Sequence, residues 1–288
     1  MFREACLVLE NKKVAPGHFV LKMRSKSISR NARPGQFVEV LCSQDSDPLL
    51  PRPFSFLDCD SKSFSLLYQV VGKGTDLLSK VKKNDKLRIL GPLGNGFSLR
   101  SSLRGAEGDE AISKTGLLGF AGNDILLVGG GVGIPPLYHL AKTAKNKNTQ
   151  VFLGARHKSL LLCEKDFKKL KVGLHLATDD GSRGKKGFVT GILEDFLQKN
   201  DLSQAHIYTC GPTPMLKAVS MIAQKYQVPC QVSVEVPMAC GFGACLGCAI
   251  TVRQGTEAPE HQKNQEKYRF AIACKEGPVF CGEKIVWE

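Results

Sequence analysis

Asp124-Ile-Leu-Leu-Val128-Gly-Gly-Gly-Val-Gly-Ile-Pro-Pro136 decides the fold of this chain. Its first part is a short apolar run, the pattern of a strand buried on both faces of a parallel sheet. Glycines at 129, 130, 131 and 133 follow, and Pro136 to Ala144 then reads as a helix. Between them, Gly130, Gly131 and Gly133 are candidates to let the phosphates of a dinucleotide reach the helix N-terminus, where free N–H groups and the dipole favour anions. The stretch departs from G-x-G-x-x-G in carrying Pro136 where the last glycine belongs.

Downstream, short strands at Gln150 to Leu153, Leu174 to Thr178 and His206 to Thr209 alternate with helices at Leu162 to Leu170, Gly191 to Gln198 and Pro214 to Tyr226. That alternation predicts a parallel α/β nucleotide-binding domain over residues 123–230. Two loops at strand ends, Thr178-Asp-Asp-Gly-Ser182 and Thr209-Cys-Gly-Pro-Thr-Pro214, fall where such sheets bind ligands. Cys210 and Gly211 are therefore candidates to border a nicotinamide, with a buried cysteine acting as a small hydrophobe the other reading of Cys210. Adjacent Asp179 and Asp180 read as a turn rather than a paired acid/base site. After the second strand, Gly154-Ala-Arg156-His-Lys158 places positive side chains where they would meet a 2′-phosphate or simply face solvent, so NAD and NADP both stay open.

Upstream, residues 1–100 read as an antiparallel barrel: Phe19 to Met23, Gln36 to Leu41, Phe54 to Leu57, Ser63 to Val71 and Lys86 to Leu90 are short strands between Gly and Pro turns. Two motifs lie on it. In Arg52-Pro53-Phe54-Ser55, the guanidinium suits a pyrophosphate and the hydroxyl a flavin ring. In Leu67-Tyr68-Gln69, continuing to Gly74-Thr75, Tyr68 is a candidate to pack on an aromatic ring and the glycine turn to approach phosphate oxygens. Residues 101–122, polar in their first half and without sustained period, read as a linker or insertion.

From residue 231 a third unit begins, and Cys240-Gly-Phe-Gly-Ala-Cys245-Leu-Gly-Cys248, with Cys274 beyond it, has the C-x4-C-x2-C spacing that holds a 2Fe-2S cluster. Gly241, Gly243 and Gly247 are expected to allow positive φ and bring backbone N–H groups toward the sulfurs. A structural zinc is the competing reading, although zinc sites more often show two C-x2-C pairs. Cys281 rivals Cys274 as fourth ligand. Cys274 is preferred because it closes the apolar run Phe270 to Ala273 just before a turn.

Composition bounds the rest. Eleven cysteines in 288 residues, an odd number, argue against a secreted disulfide framework and for a reducing, cytoplasmic compartment. No signal peptide is evident and no apolar stretch approaches 18 residues, so no membrane association is expected. The net charge of +13 is spread over dispersed lysines without interleaved aromatics, which argues against a nucleic-acid platform and leaves mostly solvated faces, with a minor share to attract anionic cofactors or an acidic partner.

Together, R-P-x-S, G-x-G-T, G-G-G-x-G-x-x-P, C-G-P and the cysteine loop resemble the ferredoxin reductase superfamily. Within it, Met238 to Cys248 and Cys274-Lys-Glu-Gly-Pro-Val-Phe280 are similar to the electron transfer subunits of class B dihydroorotate dehydrogenases. The resemblance implies FAD along Arg52 to Ser55, Leu67 to Gln69 and Gly74 to Thr75, and a cluster on Cys240, Cys245, Cys248 and Cys274. It also implies NAD as co-substrate and an FMN-bearing catalytic partner in a heterotetramer, with dihydroorotate oxidised on that partner in pyrimidine biosynthesis. Rival readings are the flavin subunit of a bifurcating ferredoxin:NADP oxidoreductase, a sulfide dehydrogenase or a hydrogenase, and, in another class, a binding module with a four-cysteine zinc site. The interval before Cys274 is longer than that family's usual one.

Overall fold

The computed structural model describes residues 1–43, 45, 47–99, 124–146, 148–200, 204–254 and 268–287. The segment 101–122 lies outside the described residues.

Six antiparallel strands close into a barrel in the order β1-β2-β5-β4-β3-β6: β1 Phe2–Ala15, β2 His18–Arg24, β3 Phe37–Leu41, β4 Arg52–Cys59, β5 Ser63–Gln69 and β6 Lys86–Leu93. Closure removes the exposed edges that an open sheet would leave. The sequence patterning misses β1, a 14-residue strand that departs from regular pairing twice, between Val8 and Glu10 and between Lys13 and Ala15. Helix α1 Lys26–Asn31 starts at Ser25, whose hydroxyl accepts from the Ile28 N–H at 3.1 Å. Helix α2 Lys73–Ser79 follows β5.

Alternation along β3 sets up the functional site. Val38 and Val40 enter the barrel core with Leu21, Phe56, Phe64 and Ile89. Phe37 and Glu39 therefore point outward, and both are buried by what covers that face.

The second sheet has seven strands in the order β10-β9-β8-β7-β11-β12-β15. Its parallel members are β7 Ile125–Gly130, β8 Thr149–Ala155, β9 Gly173–Thr178, β10 Lys185–Lys186, β11 His206–Cys210 and β12 Cys230–Ser233. Helices α3 Pro135–Ala144, α4 Glu164–Lys169, α5 Val189–Lys199 and α6 Thr213–Lys225 alternate with them. Strand β7 is buried at every position, as a central parallel strand should be. Helix α3 docks this domain on the barrel, where Lys142 Nζ donates to both carboxylate oxygens of Asp58 at 2.6 and 2.7 Å. Beneath, Leu57 and Leu67 of the barrel share a core with Leu127, Leu137 and Leu153.

One expectation differs from the structure here. The third unit does not begin cleanly at 231, because β12 and the antiparallel strand β15 Val279–Cys281 both belong to the seven-stranded sheet. The cysteine unit is thus an excursion from the sheet edge, built on the hairpin β13 Ala249–Arg253 and β14 Tyr268–Ile272 and on α7 Ala273–Glu276. Its ends are held by sheet hydrogen bonds. No helix among the described residues is long and apolar enough to cross a membrane.

Candidate functional site: two cysteine pairs between barrel and sheet

The loop after β12 folds Cys240, Cys245 and Cys248 toward α7. Cys274 N–H donates to Cys248 Sγ at 3.3 Å, and the Cys248 and Cys274 side chains are themselves hydrogen-bonded. Cys240 and Cys245 form the second such pair. Burial opposes ionisation of Cys240, but the N–H groups of Cys245, Phe242 and Ala244 and the Cys245 thiol outweigh it, bringing the thiol down to about 6. Cys274 is pushed up to about 12 by burial and by the side chain and charge of Cys248. Cys281 sits in β15 opposite Gln231, away from the loop and beside Cys230.

Positive φ occurs at Gly241 (77°), Gly243 (90°) and Leu246 (58°). The third left-handed position is thus Leu246 and not Gly247. Gly241 is also sterically required, since an added Cβ would lie 2.6 Å from Glu39 Cγ and 3.0 Å from Leu93 Cδ1. Phe37 and Leu93 of the barrel pack in one apolar cluster with Cys248, Ala273 and Cys274. Glu39 is enclosed beneath the loop with no hydrogen-bond partner on either carboxylate oxygen. Burial first, then the negative charge of Cys240, push its carboxyl up to about 8, against the opposing pull of Arg52.

On the barrel, Pro53 and Ser55 stand opposite Glu39 and Phe37, so these four share the face that carries the cysteine loop. Arg52 donates to the Leu50 and Pro51 carbonyls at 2.7 and 3.1 Å, and a Cβ on Gly74 would come 3.4 Å from its Nε. Thr75 Oγ1 accepts from Val71 and Gly72 N–H at 2.9 and 3.2 Å, which shapes the glycine turn. Phe54 turns to the barrel interior, its ring centroid 5.7 Å from that of Tyr68. Tyr68 is 1% exposed, stacks on Phe19 and donates its hydroxyl to Asn11 at 3.1 Å. Its ring is therefore core, and only its backbone is left to face a ligand. Leu67 is buried against the α/β domain, while Gln69 is exposed.

A cavity of about 700 Å³ opens between barrel and sheet. His18 and Gln69 line it from the barrel, and Gly130, Gly131, Arg156, Asp179 and Glu235 are among its walls on the sheet side. Gly133 works differently from the expectation: a Cβ there would be 2.6 Å from Gly211 Cα, so both glycines permit close packing of loop on loop behind the cavity. Cys210 is buried and off the cavity wall, its thiol pushed up to about 12 by burial and hydrogen-bonded to Ser233. Asp180 Oδ1 accepts from Ser182 N–H and Oγ at 2.9 and 2.6 Å, a turn. Glu235 was not singled out by sequence reasoning, because it belongs to no motif and reaches the cavity only through the direction of β12.

Residues 127–221 match the family described as "Oxidoreductase NAD-binding domain", and residues 235–286 match "Iron-sulfur cluster binding domain of dihydroorotate dehydrogenase B". The "Dihydroorotate dehydrogenase B (NAD(+)), electron transfer subunit" of Caldanaerobacter subterraneus subsp. tengcongensis is 36% identical over 280 residues, 97% of either chain. The chain belongs to this family. The protein of that name from Clostridium acetobutylicum is also 36% identical, over 97% of this chain and 95% of its own length. Among solved structures, the NADH-dependent reduced ferredoxin-NADP oxidoreductase aligns at TM-score 0.77 and 30% identity, covering 99% of this chain and 90% of that one. The ferredoxin reductase of carbazole 1,9a-dioxygenase shares the fold, at TM-score 0.63 and 20% identity over 79% of this chain and 67% of that one.

For an electron transfer subunit of this family, the cysteines fit a binuclear cluster. The four thiols stand as two hydrogen-bonded pairs, Cys240 with Cys245 and Cys248 with Cys274, matching two irons that take two thiolates each. A tetrahedral zinc would need all four donors on one centre.

Proposed function

We propose that this chain relays electrons between a dihydroorotate-oxidising, FMN-bearing partner subunit and NAD. Cys240, Cys245, Cys248 and Cys274 would hold a 2Fe-2S cluster, and Arg52 to Ser55, Leu67 to Gln69 and Gly74 to Thr75 would hold FAD. When bound, the flavin exchanges a hydride with nicotinamide and single electrons with the cluster.

The chain's own residues bind, orient and exclude water. Arg52 offers a charge beside the Gly74 turn. Gly131 leaves open space on the cavity wall, and Gly130 makes room there for Met215. Asp179 on the cavity wall suits the 2′-hydroxyl of NAD, while Arg156 on the same wall offers a positive charge to a 2′-phosphate. Phe37 and Leu93 seal Cys248 and Cys274 from solvent, which lowers the local dielectric around the thiolates.

The observation that carries this reading is that apolar cluster, because it sets the thiols on the outer face of β3, whose neighbour β4 carries Ser55. Dihydroorotate chemistry belongs to the partner in this reading, and the assembly is a cytoplasmic heterotetramer of two subunits of each kind. The test is affinity purification of the chain expressed with candidate partners, followed by flavin, iron and sulfide analysis and by assay of dihydroorotate-dependent NAD reduction. Recovery of FAD and two irons per chain with an FMN subunit supports it. The structural likeness to a ferredoxin-NADP oxidoreductase favours a second reading, which co-purification with a ferredoxin-linked subunit instead would establish.

A further inference from the structure

At the end of β6 the turn Gly94-Asn95-Gly96 meets the segment carrying Cys274. Asn95 Nδ2 donates to the carbonyls of Lys275 and Glu276 at 3.3 and 3.1 Å, the two residues that follow Cys274. Its backbone N–H donates to Gly277 O at 2.5 Å, and Asn95 bridges Pro278 in a single parallel ladder step. There is no spare room in the joint. A Cβ on Gly94 would lie 2.6 Å from Gly277 O and 2.7 Å from Pro278 Cδ, and one on Gly35 would lie 2.9 Å from Val279 Cγ2. The turn is held from the barrel side as well, where Gln36 Nε2 donates to Gly94 O at 2.7 Å and Phe97 N–H to Pro34 O at 2.8 Å.

These contacts form a short chain of fixed groups. The Cys274 segment is bound to Asn95, Asn95 to the end of β6, β6 to β3, and β3 to β4 with Ser55. Lys275, clamped through its carbonyl, lies across Gly243 with its Cδ 3.2 Å from where a Cβ would sit, so the clamp also reaches the cysteine loop. None of these residues lines the cavity between barrel and sheet.

We propose that Asn95 is a positioning residue for electron transfer, its amide holding the Cys274 segment at a set distance from the flavin-binding strands of the barrel. The inference rests on the cofactor reading given under Proposed function. The step it governs is the passage of one electron between cluster and flavin, from cluster to flavin in the proposed relay and from flavin to cluster when NADH drives it, and no bond forms or breaks. Asn95 supplies two donors to two carbonyls, and a carboxylate of the same shape would repel both. Because no bond is made, the rate depends on the gap between the cofactors and not on alignment at one reacting atom, and a longer gap slows the transfer.

The test uses the full chain loaded with both cofactors, as wild type, Asn95→Ala and Asn95→Asp. Each is mixed anaerobically with NADH, and flavin bleaching and cluster reduction are followed separately. Magnetic coupling between reduced cluster and flavin, read by electron paramagnetic resonance, reports their spacing independently of turnover. The expected result is flavin reduction at the wild-type rate in both variants, cluster reduction slowed several-fold, and weakened coupling. Asn95→Asp separates hydrogen bonding from shape, since a purely steric residue would tolerate it. Wild-type cluster reduction and coupling in both variants would overturn the role of Asn95 and leave the relay standing. Purified wild-type protein with neither flavin nor iron would overturn the relay and the inference together.

Discussion

Replacing Glu39 with glutamine should remove a pH dependence of stability that is built into the joint between barrel and cysteine loop. The carboxyl is 2% exposed and neither oxygen has a hydrogen-bond partner. Burial, with Cys240 adding to it and Arg52 opposing it, raises the group from 4.5 to about 8. A bound cluster, itself anionic, pushes in the same direction. In the unfolded chain the carboxyl releases its proton near its ordinary value, so between about pH 4.5 and 8 the folded protein holds a proton that the unfolded one has lost. Its contribution to stability is complete below that window, falls as pH rises through it, and is gone above it. At about 1.4 kcal/mol per pH unit, the full span is worth about 5 kcal/mol. Glutamine fills nearly the same volume and does not titrate. Urea unfolding of wild type and Glu39→Gln at pH 5, 6, 7, 8 and 9 should show the variant gaining on wild type by several kcal/mol, with most of the change between pH 5 and 8. Parallel pH profiles for the two proteins would refute the claim that this acid is buried without a partner.

Three further outcomes follow from the same geometry. Cys245→Ala and Cys274→Ser should each lose acid-labile sulfide and abolish dihydroorotate-dependent NAD reduction in the assembled complex, while Cys281→Ser, altered in a sheet strand, should keep its iron; iron and sulfide analysis decides. Gly133→Ala forces a Cβ to within 2.6 Å of Gly211 Cα and should cost about 1–3 kcal/mol by overpacking, seen as a lower thermal midpoint and weaker NADH binding. Tyr68→Phe removes the hydroxyl bond to Asn11 and should cost about 1 kcal/mol with flavin content unchanged; a loss of flavin would show that the hydroxyl serves the cofactor and not only Asn11.

What the chain's order of residues determined by itself was everything that depends on near neighbours. The apolar run before Gly129, the alternation of β3, the turn glycines and the spacing of Cys240, Cys245 and Cys248 are local patterns, and local backbone geometry is enough to read them as strand, barrel, nucleotide loop and cysteine loop. Which side of a strand meets which neighbour is not local. Tyr68 and Leu67 look equally available in sequence, yet closure of the barrel turns the first into its core and packs the second under α3. Cys210 sits in a ligand-binding motif but its thiol is directed behind the wall, whereas Glu235, outside any motif, lines the cavity. Cys274 and Cys281 are both plausible partners by spacing; only the pairing of β15 with β12 carries Cys281 away and leaves Cys274 beside Cys248. The grip of Glu39 and Asn95 on the cysteine unit joins positions more than 170 residues apart. Such contacts exist only once the barrel has closed and the sheet edge has returned to it, because burial and hydrogen bonding across that joint are properties of the packed surfaces and not of either segment alone.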